Sequence, residues 1–430
     1  MTTGSNPESK LVGVFRCRAV ETAVHEESDF SGIFAACHST RLTEQDGPRQ
    51  CLEPVAIAGD WTQCCRHAKQ RVSTDCARPA MRISDESPPS NAMIITSLGP
   101  VLRAVVGHRG VQAAAAFWVV GYIVVLWLAR GALPFDRPAV ARLPFVLQMA
   151  MPTIGMIEVF VLMGLAFLIT RTRAIPDMAA RVPDHRVALR ETVGILAYAA
   201  LGQIGGWVVG PALGYRPFSF HVAGTVFGCA VLPARAEVYL WAMYNFLIFA
   251  VVPYVYFRRR YTNTELNLRS TNRRNDALLI FVVLVIESAV ELAVFENNVL
   301  KLNLRQVILG APLTFIIFFI GTVLPTMVLI YAILLPRYLK LTGSAISTVL
   351  LGGLTYSAMH IVEGWSAFDS PRDVALSLLF VLFQYFGPGM IKSVLTLRTG
   401  NAWVHALSYH AVAPHVLVDT PLMVKVFGLV

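Results

Sequence analysis

Residues Val307–Leu335 read VILGAPLTFIIFFIGTVLPTMVLIYAILL, without one charged side chain. A run of this kind exceeds the ~20 residues that cross a ~30 Å hydrocarbon layer. A helix that is apolar all round belongs inside protein or lipid rather than at a water-facing surface. Working from this run, eight more of similar character lie at 111–129, 143–170, 192–213, 237–257, 276–296, 344–362, 373–391 and 401–420. The expectation is an all-α, polytopic transmembrane bundle of about nine spans. A shorter apolar stretch from Phe218 to Leu232 reads as interfacial or re-entrant.

The bulk numbers agree. The 430 residues are 55% hydrophobic and only 15% charged, with a mean hydropathy of +0.57. That is more apolar surface than one soluble core buries. The net charge of +9 does not mark a nucleic-acid binder, because the basic residues fall in short loops where they set topology. One set of loops holds Arg171, Arg173, Arg181, Arg186 and Arg190; then Arg258, Arg259, Arg260, Arg269, Arg273 and Arg274; then Arg337 and Lys340; then Lys392 and Arg398. The opposite loops are poorer in Arg and Lys. The bias predicts a cell-membrane protein with a cytoplasmic N-terminus, the bilayer as its partner and anionic head groups against its Arg-rich loops.

Residues 1–92 differ in kind. They are rich in Ser, Thr, Asp, Glu, Arg and Pro, show no helical or strand period, and hold six of the seven cysteines with no C-x-x-C pair. They read as a disordered or weakly folded extension, and Met93 before a short basic segment reads as an alternative start. The transmembrane domain is then 93–430. Glycines at Gly202–Gly206 and Gly352-Gly353 predict close helix contacts, and Pro152, Pro312, Pro325 and Gly387-Pro388-Gly389 predict local breaks.

Ionisable groups inside a bilayer are the functional candidates. Glu287 and Glu291 are four apart, which puts two carboxyls on one helical face. His360 ends an apolar run, with Glu363 three residues on. His410 lies in the last run between His405 and His415; five-residue spacing on an α-helix turns ~140°, so the three are not expected to face one site. Counted at ~1.5 Å per residue, Glu287, Glu291, His360 and His410 fall at compatible depths. Glu158 reads as a neutral or helix-paired carboxyl, and Glu191 and Glu237, at span ends, as reaching water.

Three segments resemble a known family. Ile333-Leu-Leu-Pro-Arg337-Tyr-Leu-Lys340, Tyr356-x-x-x-His360 and Arg398-Thr-Gly400 followed by Trp403 and His410 are similar to motifs of the CPBP intramembrane proteases, the group of type II CAAX prenyl proteases and bacteriocin-processing relatives. Pro253–Tyr261 resembles the family's preceding helix, and the similarity covers about 237–415. The resemblance implies a metal-dependent hydrolase, with a divalent metal such as zinc, His360 and His410 as metal ligands and a membrane-associated peptide or protein as substrate or partner. The family's Glu-Glu-x-x-x-Arg would fall on Thr326, Met327 and Tyr331, and its final Asn/Asp on Pro414. A divergent or catalytically inactive member is the expectation, or an active one in which Glu287 or Glu291 replaces the missing base. A small-solute or proton-coupled transporter is the alternative, since the buried carboxyls would also serve a proton pathway.

Overall fold

The structure is a computed structural model that describes residues 98–134, 143–220, 232–295, 298–363 and 365–429. The readings made for residues 1–92 and for most of Phe218–Leu232 lie outside the described residues. The described chain belongs to one compact unit, Glu86–Val430, and its regular structure is helical throughout.

A short α1 (Leu98–Val106) leads into α2 (Arg109–Ala129), α3 (Phe145–Thr170), α4 (His185–Ala212), α5 (Arg235–Arg258), α6 (Arg273–Val294) and α7 (Leu304–Thr342). Then come α8 (Ala345–Met359), α9 (Pro371–Thr399), α10 (Ala402–His405) and α11 (Val418–Phe427). Seven of these, α2 to α7 and α9, are long and apolar enough to cross a membrane. Among the described residues the expected count of about nine is therefore not confirmed. The run at 344–362 yields only 15 helical residues because Met359 ends α8, and the run at 401–420 is cut into short pieces by π-helical turns.

The opening stretch forms the middle of α7 and is the centre of the bundle. Met327–Leu334 is π-helical and all eight of its residues are buried. Neighbours close around it through glycine. A Cβ on Gly389 of α9 would lie 2.8 Å from the Gly353 Cα of α8, and one on Gly353 would lie 2.9 Å from the Phe386 carbonyl oxygen. The backbones thus meet where no side chain fits. Gly202 similarly lets α4 approach Phe249 of α5. Facing outward, α2 exposes Val119, Val120, Ile123 and Trp127, the apolar surface that lipid covers.

The basic ends of the helices are tied by buried polar clamps. Arg173 pairs with Asp276 and donates to the Thr399 carbonyl at 2.9 Å, while Asn401 donates to the same Asp276 at 2.9 Å. Arg337, 1% exposed, lies 4.6 Å from the Phe257 ring and 4.8 Å from that of Tyr261. It is 2.7 Å from Glu191, which also accepts from the Tyr261 hydroxyl at 2.9 Å. Burial first, then the Glu191 hydrogen bond, pushes the Tyr261 phenol up to about 12. Glu191 and Glu237 are thus held by cations rather than by water, since Glu237 accepts from Arg216 at 3.0 Å.

Candidate functional site: a buried polar cavity

Tyr356 is the hub. From α8 its hydroxyl lies 3.3 Å from the Nε2 of His410, and its carbonyl accepts from His360 Nδ1 at 2.6 Å. That bond fixes the proton of His360 on Nδ1. The His360 ring stacks on Tyr385 of α9 with centroids 3.9 Å apart and meets Phe220 edge-on. Because α8 has ended, Glu363 does not follow one helical turn beyond His360 as the spacing suggested; it is buried in the next segment, where its backbone N–H donates to Ser366.

His405, His410 and His415 all face the same way. Ala406–His410 and Val412–Leu417 are π-helical, and the Ala411 N–H donates to the Ala406 carbonyl, five residues back, at 2.9 Å. In that bonding pattern residues five apart stack along one side instead of turning away. The ring centroids of His405 and His410 are 6.4 Å apart, and those of His410 and His415 are 5.4 Å apart. At the far end of this column His415 Nδ1 lies 3.0 Å from an Asp419 oxygen, which holds the proton on Nδ1 and orients the ring. At the near end His405, fully buried, lies over Tyr331 at 4.1 Å, with neither ring nitrogen hydrogen-bonded.

Lys392 was read as a loop residue, yet α9 runs on to Thr399 and buries it at 1% exposure. Its ammonium stands 3.7 Å from the centroid of the Tyr356 ring, a cation–π contact in a desolvated setting. The missed signal is the absence of any helix breaker between Ile391 and Gly400.

These groups border one cavity of ≈ 140 Å³, whose wall includes Glu158, Glu287, Glu291, Lys392, His410 and Asp419. Three of the four candidate residues meet there, namely Glu287, Glu291 and His410; His360 stands behind Tyr356 and is not part of the wall. Glu291, near the outer interface, is half-buried, with its Oε2 buried. Glu158 and Glu287 border the same cavity, where two carboxyls in apolar surroundings do not readily both ionise. One Glu287 oxygen remains without a hydrogen-bond partner. A water needs ~10–15 Å³ of such space and a few polar neighbours, so the cavity has room for several.

The donors do not fit a bound zinc. Among the described residues no three His, Cys, Asp or Glu side chains are grouped to hold a metal ion, the His360 Nδ1 is committed to a carbonyl, and the Lys392 Nζ stands over the Tyr356 ring that both histidines contact. Thr326 and Met327 are buried apolar or neutral neighbours, so no carboxylate lies at those two positions. Comparison with protein-family models, curated proteins and solved structures found no match.

Proposed function

We propose that this integral membrane protein takes up and passes protons through its buried cavity, and that it does so on a divergent CPBP-like bundle that has given up hydrolysis. The observation that carries this reading is the series Asp419, His415, His410 and Tyr356 along the wall of a cavity that also contains Glu158, Glu287, Glu291 and Lys392. Each member accepts and donates protons, and the volume admits the waters that bridge the ring-to-ring gap between His410 and His415. Small polar solutes that exchange protons with the carboxyls are the cargo class such a cavity suits, and the bilayer is the partner of the exposed apolar faces. The basic loops favour a cytoplasmic N-terminus.

The test is proton flux into liposomes that carry purified protein and an internal pH dye, under an imposed pH gradient. Wild type conducts. His410→Ala loses flux by ~10²-fold, the scale on which a positioned proton-transfer group acts. Absence of wild-type flux, or equal flux in His410→Ala, defeats the proposal.

The presence of Glu287 and Glu291 beside His410 favours one second reading, an active hydrolase of membrane-associated peptides in which a carboxylate activates water. Peptide cleavage by wild type that is lost in both Glu287→Gln and His360→Ala supports it; equal activity in wild type and variants, or none in any of them, rejects it.

A further inference from the structure

At the basic ends of α4 and α5 the two helices part. They are pressed together at Gly202, where a Cβ would lie 2.7 Å from Phe249, and they diverge around a second cavity of ≈ 600 Å³. Its walls are apolar, formed by Val187, Ile195, Val252, Pro253 and Phe257, and its rim carries Arg190 and Arg260. Both arginines are exposed, and neither is ion-paired among the described residues. Glu191 also borders the space, but its carboxylate is taken by Arg337 and Tyr261. The Arg260 guanidinium lies 5.8 Å from the Tyr256 ring centroid, which holds it at the rim. Outside the cleft, Leu189, Val193 and Val255 are exposed apolar residues on the two helices.

We propose that this cleft seats an anionic phospholipid, its phosphate between Arg190 and Arg260 and an acyl chain in the apolar groove between α4 and α5. An apolar slot that opens under two uncompensated guanidiniums matches a molecule with an apolar tail and a phosphate head. Guanidinium pairs bind phosphate in a planar, two-pronged geometry that an ammonium does not reproduce. Near an anionic membrane surface each basic residue adds to the attraction. Groove and rim together distinguish this site from an Arg-rich loop that meets head groups without a slot for the chain.

Native mass spectrometry of the detergent-purified protein, titrated with phosphatidylglycerol or phosphatidylcholine of the same chain length, tests the assignment. Wild type retains phosphatidylglycerol in preference to phosphatidylcholine. The preference falls roughly fivefold for each arginine removed in Arg190→Gln and Arg260→Gln, and persists in Arg259→Gln, outside the cleft's lining. Gly194 borders the cleft and has open space where a Cβ would go, so Gly194→Leu fills the groove without touching a charge and lowers retention of both lipids. Equal retention of the two lipids by wild type, or undiminished preference in the double arginine variant, overturns the site. Full displacement of the lipid by free inorganic phosphate, with Gly194→Leu binding as wild type does, overturns the groove and leaves an ion contact alone.

Discussion

Lys392 is the residue on which the electrostatics of the cavity turn. Its side chain, buried to 1% exposure, stands with Nζ 3.7 Å from the Tyr356 ring centroid and borders the cavity that also holds Glu287 and Glu291. Lys392→Met should lower stability by about 2 kcal/mol through loss of the desolvated contact with that ring. Thermal unfolding in detergent reads the change, and an unchanged midpoint removes the contact's contribution. Tyr261 offers a pH test at the membrane edge. Its phenol is raised to about 12, so the protonated form is favoured by the fold; that contribution is present below the ordinary phenol value of about 10 and is lost as pH rises toward about 12. Tyr261→Phe should flatten the alkaline decline of the unfolding midpoint. At this scale the sequence showed part of the site. Glu287 and Glu291 were visible because helical spacing pairs them, and His410 because histidine is rare in lipid. Lys392 was not visible, since a lysine after an apolar run looks like a loop marker until the helix is known to continue.

At the scale of elements, helix bonding pattern decided what sequence spacing could show. Histidines five apart diverge on an α-helix and align on a π-helix, and the one helix breaker between Ala406 and Leu417 is Pro414, in the second π segment. Deletion of Ala411, which separates the two π segments, should shift every residue after it by one position and take His415 off the column. Proton flux should then fall as it does in His410→Ala while helix content by circular dichroism stays near wild type; retained flux would separate the column from transport. The close contacts of Gly202 and Gly353 were readable from the outset, whereas Gly389, read as part of a break, lies in an unbroken α9 and packs against Gly353. Gly389→Val places a branched side chain where even a Cβ lies 2.7 Å from Tyr356 Cβ, and should destabilise by about 1–3 kcal/mol or more through overpacking, measured by the same unfolding assay. Gly353→Ala should act in the same direction.

For the whole molecule, hydropathy predicted membrane residence and the helical class; the helical class is plain in the fold, and seven apolar helices among the described residues suit membrane residence. The count of about nine spans is not confirmed, with seven helices long and apolar enough among the described residues, because apolar length does not reveal where a helix stops, as at Met359, or breaks into π turns, as after His405. The clamp at the basic end joins helices far apart in sequence through Arg173, Asp276 and Asn401. Sequence spacing carries no trace of such long-range pairing. Asp276→Ala strands the buried Arg173 guanidinium and should cost about 3–5 kcal/mol, read as loss of folded protein in detergent. An unaltered midpoint would show that the remaining carbonyl and hydroxyl acceptors suffice.

The burial of Lys392 and the exposure of Arg190 and Arg260 place two electrostatic regimes in one chain. Mobile ions screen exposed charges within about 3 Å at 1 M salt, and screen buried groups much less. Raising ionic strength should therefore weaken lipid capture at the rim while leaving the cavity's internal charge balance intact. Salt alone, with no substitution, should dissociate what happens at the surface of this protein from what happens inside it.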